Sequence, residues 1–141
     1  MRRPHVSRAE IGENKLLNLV WLSLLLTGVY FGIMYIPAYT ERWNVKSLLQ
    51  DVANNSWRNF DEDKTRQGLI ARVKEEYGKD GKNLFVLDTE NVVVDNNETT
   101  KRLTVGITWT RIIPYPFLTG KQVQKVFTQK YSVDTRPVKY D

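Results

Sequence analysis

Hydrophobic and polar positions divide the chain into one long apolar run and a remainder with two shorter periods. The run, Leu16 to Ile36, contains no Asp, Glu, Lys, Arg or His. A helix rises about 1.5 Å per residue, so roughly 20 apolar residues cross a hydrocarbon core of about 30 Å. The pattern therefore predicts a single transmembrane helix over 16–36. Pro37 follows at once. Proline lacks an N–H and disfavours helical geometry in the residue before it, so a kink is expected at the membrane surface. Beyond it Val45, Leu48, Leu49 and Val52 recur at i, i+3, i+4 and i+7, the stripe of an amphipathic helix. This second half is expected to run to about Ala53, with Trp43 extending its apolar stripe towards the membrane and Asn54-Asn55 as its cap. A helix apolar all round in lipid becomes one-faced where a domain covers one side of it.

Leu69, Ile70, Val73 and Tyr77 mark the buried face of a further helix, capped at its start by Asp61 or Asp63 and stopped by Gly78. Trp57 and Phe60, in the connection before it, should tuck beneath the domain. After a turn at Lys79-Asp80-Gly81-Lys82 the period changes to two. Leu84 to Leu87 reads as a short extended piece, Val92 to Val94 as a strand, and Asn-rich Asp95 to Thr100 as a hairpin loop. Leu103, Val105, Ile107 and Trp109 alternate with polar or small residues over a long half-buried strand. Val123, Phe127, Tyr131 and Val133 give another, with its Gln and Lys residues turned outwards. Short connections favour neighbours, so the strands should form an antiparallel meander packed by one face on the helices. The expected class is α+β: a transmembrane helix continuing past a Pro37 kink into an amphipathic helix, a second helix, then a three-stranded antiparallel sheet. The boundaries are a basic cytoplasmic tail over 1–15, the span over 16–36, an extracytoplasmic α+β domain over 37–135 and a C-terminal tail over 136–141.

Charge adds an orientation. Arg2, Arg3, Arg8 and Lys15 precede the span, whereas the first fifteen residues after it carry only Arg42 and Lys46. The positive-inside rule places the tail in the cytoplasm and the domain outside, which in a Gram-negative cell means the periplasm. The apolar run is too long for a signal-peptide core, and bulky Tyr35-Ile36-Pro37-Ala38-Tyr39 offers no small-residue cleavage site. Tyr35, Tyr39 and Trp43 fall at the depth of an outer aromatic belt and are candidate interface anchors. Inside the span, Gly28 and Gly32 are four residues apart on one face, where absent Cβ atoms let another helix approach; Ser23 and Thr27 form a second small pair. Between the last two strands Ile112 to Gly120 holds Pro114 and Pro116 with five large apolar or aromatic residues. Tyr115, Phe117 and Leu118 are candidates for contact with a partner subunit or the membrane interface, set against folding back on their own core.

Four segments carry a resemblance: Ile36-Pro37-Ala38-Tyr39, Val45-Lys46-Ser47-Leu48-Leu49, Ile113 to Gly120, and Val126 to Val133. In this order the chain resembles an uncharacterised family of small, single-span, membrane-anchored proteobacterial proteins, pilin-like in outline. The resemblance implies a helix-plus-small-sheet domain outside the inner membrane and supplies no catalytic residues. Pilin-like proteins typically have a cleavable leader ending in Gly, then Phe, with Glu five residues into the mature helix. Here Glu13 follows Gly12 directly in place of Phe, which sets the chain apart from that processing pattern.

Candidate chemistry is sparse. The absence of cysteine excludes disulfides, thiolate metal sites and a cysteine nucleophile. His5, the only histidine, lies among basic tail residues and reads as a solvated surface group. Asp61-Glu62-Asp63 suits a helix N-terminus better than a calcium loop, whose glycine-containing pattern is missing. Adjacent Glu75 and Glu76 point in different directions on a helix and form no dyad. Asn97-Glu98-Thr99 matches a glycosylation acceptor that has no role in a bacterial source. Phosphate-loop and dinucleotide fingerprints are absent. The net charge of +5 is dispersed rather than gathered on one face, against a nucleic-acid partner. The sequence is therefore expected to encode no catalytic or metal site, no cofactor and no small-molecule substrate. It is read as an accessory subunit or assembly factor of a larger inner-membrane complex, respiratory or photosynthetic complexes being the type that carries such subunits. Its partners are membrane subunits and the lipid bilayer. The alternative is a pilin-like component of a secretion or pilus machine.

Overall fold

The computed structural model describes residues 8–79 and 84–136, with side chains from Asn14 onward. Arg2, Arg3 and His5, the side chain of Arg8, and most of the turn after the second helix lie outside the described residues. Helix α1 runs without interruption from Arg8 to Ser56 and carries Pro37 in its interior. Helix α2 spans Glu62–Tyr77. Strands β1 (Phe85–Asn97), β2 (Arg102–Pro114) and β3 (Gln122–Asp134) form an antiparallel sheet in the order β1-β2-β3. The α+β outline read from the sequence is the fold.

Several boundaries differ in detail. The tail expected over 1–15 is helical from Arg8, and the amphipathic half of α1 extends to Ser56 rather than Ala53. The two pieces expected at Leu84–Leu87 and Val92–Val94 belong to one strand. Between Asp88 and Val93 the chain takes five steps opposite two steps of β2, Thr108 to Gly106. Three extra residues reverse the alternation, so Phe85 and Leu87 face inwards before the bulge and Val92 and Val94 after it. Asp88 holds the bulge closed by accepting from the backbone N–H of Glu90 and Asn91 and from the Asn91 amide.

The core lies between the upper half of α1, α2 and the inner sheet face. Leu49, Leu69, Leu103, Val105, Ile107 and Trp109 are essentially sealed from solvent. Every β2 residue that the alternation assigned to the inside is there. The outer face is polar, with cross-strand hydroxyl pairs Thr104–Ser132 at 2.8 Å and Thr108–Thr128 at 3.1 Å. Asp61 caps α2 by accepting from Lys64 N–H at 3.1 Å. That bond to the charged form holds its carboxyl below the usual range. The C-cap position of α2 needs glycine for a steric reason: the φ of Gly78 is −87°, not left-handed, but an added Cβ would run into the Lys74 carbonyl oxygen.

Two expectations about side chains are corrected. Trp43 does not continue the apolar stripe: it is 79% exposed, and the buried face descends instead through Val45, Glu41, Ala38 and Met34. Lys125 and Gln129 of β3 do not point outwards. They share the inner face with Phe127 because period-two alternation leaves no choice, and both reach α1.

Leu49 is buried in the domain core, whereas Leu25, in the lower half of the same helix, is 62% exposed. Leu49→Ala should cost the domain about 2–5 kcal/mol of stability, and Leu25→Ala close to nothing. Urea denaturation in mild detergent, followed by near-ultraviolet circular dichroism of Trp109, measures both.

Candidate functional site

The apolar half of α1 stands clear of the domain. Within the described residues it is the one helix long and apolar enough to cross a membrane. Its side chains from Leu16 to Val29 are exposed. The domain begins to cover the helix at Tyr30 and Met34, and the candidate residues fall along this transition.

At the centre of the joint is a polar group that pattern reading missed. Glu41 sits on the buried stripe of α1 with 8% of its surface exposed. One carboxylate oxygen accepts from the Trp109 indole N–H at 3.0 Å and the other pairs with the Arg111 guanidinium at 2.8 Å. Trp109 and Arg111 are alternate residues of β2, so strand geometry presents both to the same helical turn. Burial pushes the Glu41 carboxyl above its ordinary value, outweighing Arg111 and Trp109, which pull it down. A cleft of about 610 Å³ opens beside it, lined by Pro37, Thr40, Asn44 and Tyr77 among others. The Tyr77 hydroxyl is buried there without a hydrogen-bond partner among the described residues. Burial first, then the charges of Glu76 and Glu41, push it up to about 12. The sequence did hold a signal: Ala38, Glu41, Val45 and Leu48 continue the three-and-four spacing, so an acid occupies an apolar position.

An aromatic and cationic cluster surrounds the joint. Phe85 stacks on Trp109 and Trp109 on Phe127, with centroids 5.6 and 5.5 Å apart. The Lys125 ammonium lies 5.0 Å from the Tyr35 ring centre and 5.4 Å from that of Tyr39, and donates to the Tyr39 hydroxyl at 3.2 Å. Of the three expected interface anchors, Tyr35 and Tyr39 thus meet β3, while Trp43 is free. Arg42 donates to Gln129 at 3.1 Å.

The small residues of the apolar run separate onto two sides. At about 100° per residue, Gly28 and Gly32 lie roughly 120° around the helix from the domain-bearing positions Met34, Ala38 and Val45. An added Cβ at Gly28 would meet nothing, and one at Gly32 would meet only the tip of Ile36. Ser23 and Thr27 lie below the domain, and the Thr27 hydroxyl is spent on the Ser23 carbonyl at 2.8 Å.

The β2–β3 connection is divided. Tyr115 is half-buried against the core, whereas Phe117 is 97% exposed and Leu118 is also exposed. Among the described residues, no three His, Cys, Asp or Glu side chains converge as metal ligands. No protein-family model, curated protein or solved structure matches the chain.

Removing the acid at the joint strands the buried Trp109 indole N–H and the partly buried Arg111 guanidinium. Glu41→Leu should destabilise the domain by about 3–5 kcal/mol, because Arg111 loses its counter-charge. Glu41→Gln isolates the titration. A carboxyl raised above its ordinary 4.5 holds its proton more tightly in the folded state. Stability from this group is therefore fully present below 4.5 and declines as pH rises through the folded value. Urea titrations should show wild type losing stability relative to Glu41→Gln between that pH and neutrality.

Proposed function

We propose that the chain is a non-catalytic, single-pass subunit or assembly factor of a larger inner-membrane complex, with its domain on the periplasmic side. The observation that carries this reading is the sharing of one helix between span and domain. The sheet and α2 occupy one side of α1, so a side roughly 120° or more around the helix stays clear of the domain from Leu25 through Gly28, Gly32 and Ile36 to Trp43. A continuous helix lets a partner grip span and domain together, and the two glycines allow close backbone approach. Lys15, below the span, agrees with a cytoplasmic N-terminus by the charge rule, as do Arg2, Arg3 and Arg8.

The test is co-purification after gentle solubilisation from the native membrane. Leu at both Gly28 and Gly32 should release the partner while leaving the domain folded, since neither position touches the sheet. Unchanged recovery of the partner would remove the glycine face from the interface.

A second reading is a pilin-like component, favoured by the outline of a long helix, bare below and packed on an antiparallel sheet above. It requires removal of a leader near Gly12. Intact-mass measurement of the protein extracted from its membrane separates the two: a subunit retains the residues before Gly12, and a processed pilin lacks them.

A further inference from the structure

The bare apolar tip between β2 and β3 is held beside a part of α1 that belongs to the apolar run. The Tyr30 hydroxyl donates to the Pro116 carbonyl oxygen at 2.9 Å. Lys15 and Glu13 set the lower edge of the run and Ile36 ends it. Tyr30 lies six residues below Ile36, about 9 Å at helical rise. Helical side chains lean towards the N-terminus, so the Tyr30 hydroxyl is no shallower than its backbone. The tip is thus tied down beside the span, on the same side of Ile36 as the lipid-length helix.

Its construction leaves few backbone donors exposed. Pro114 and Pro116 have no N–H to satisfy. Tyr115 N–H donates to Lys121, Leu118 N–H to Tyr115, and Lys121 N–H to Leu118, at 2.9, 3.3 and 3.2 Å. Backbone groups in lipid must find such partners internally; Phe117, Thr119 and Gly120 N–H have none among the described residues, so the side chains of the tip, and not its backbone, suit the hydrocarbon. The Leu118–Tyr115 bond closes a turn with Pro116 at its second position and Phe117 at its third. Phe117 has φ 66°, a left-handed conformation that turns usually give to Gly or Asn. A phenylalanine held in a costly conformation and 97% exposed is explained by what it reaches. Further along β3, Lys125 stands between the Tyr35 and Tyr39 rings, at the level of Ile36. Its ammonium suits the headgroup level.

We propose that the Tyr115–Thr119 tip is a second membrane contact, with Phe117 and Leu118 inserted into the lipid of the leaflet that α1 leaves at Ile36. The inference rests on α1 spanning the bilayer. It adds that the domain touches lipid at two points, which fixes its tilt and its rotation about the membrane normal. Lipid is the occupant because of depth and side: the tip lies at the level of the apolar run, and the partner face at Gly28 and Gly32 is about 180° around α1 from Tyr30.

The chain has no cysteine, so single thiols report cleanly. Full-length Leu118→Cys, Thr119→Cys, Leu25→Cys and Thr99→Cys variants are reconstituted in vesicles of phosphatidylethanolamine and phosphatidylglycerol. A membrane-impermeant maleimide is then supplied on both sides. Thr99, in the β1–β2 turn at the far end of the sheet, sets the fully accessible rate. Thiols in apolar surroundings are poorly ionised, so Leu118→Cys and Thr119→Cys should react at least about tenfold more slowly than Thr99→Cys. Adding Phe117→Asp to Thr119→Cys should restore the fast rate. Tip thiols as reactive as Thr99→Cys, with Leu25→Cys protected, overturn the tip contact and leave the span intact. A reactive Leu25→Cys overturns the span reading itself. Protection in native membranes but not in these vesicles assigns the tip to a protein partner and also overturns the proposal.

Discussion

The structure depends on α1 being one helix. Residues on a helix keep fixed angular relations at about 100° each, so the face that packs on the sheet dictates which face of the apolar half is left bare. Pro37 deletes one backbone hydrogen bond, yet the helix continues through it to Ser56. Packing of Ala38, Val45 and Leu49 on β2 and β3 therefore sets the rotation of Gly28 and Gly32 as well.

Packing of small and apolar residues alone tolerates some rotation of a helix over a sheet. The Glu41 carboxylate removes that freedom, because both of its oxygens are committed to β2, through Trp109 and Arg111. Replacing such a pair by well-fitted apolar residues is often neutral or stabilising, so its presence speaks for defined geometry rather than for raw stability. Burial and ion pairing act on Glu41 in opposite senses, and burial is the larger. The charge-bearing joint is thus held at some cost, offset by the aromatic stack that surrounds Trp109.

The joint and the tip are complementary. Lys125 with Tyr39, Arg42 with Gln129, and Tyr30 with Pro116 connect β3 and its preceding turn to successive levels of α1. Together they tie the hairpin along the helix from the apolar run upwards. In the proposed membrane setting, the polar connections lie at and above the surface and the bare side chains of Phe117 and Leu118 lie below it.

The apolar length of 16–36, the stripe at Val45 to Val52 and the alternation of Leu103 to Trp109 were legible in sequence, because each depends only on residue spacing within one element. So was the meander, since short connections leave few alternatives. How the covered side continues down α1 through Glu41, Ala38 and Met34 was not legible. It follows from contacts between residues far apart in sequence, such as Glu41 with Trp109, and an acid at an apolar position gains its meaning only when β2 supplies its partners. The inward turn of Lys125 and Gln129, the parity reversal at Asp88–Val93 and the exposure of Trp43 were tertiary decisions for the same reason. Local spacing identifies the faces of an element, and only packing against other elements selects which face is covered.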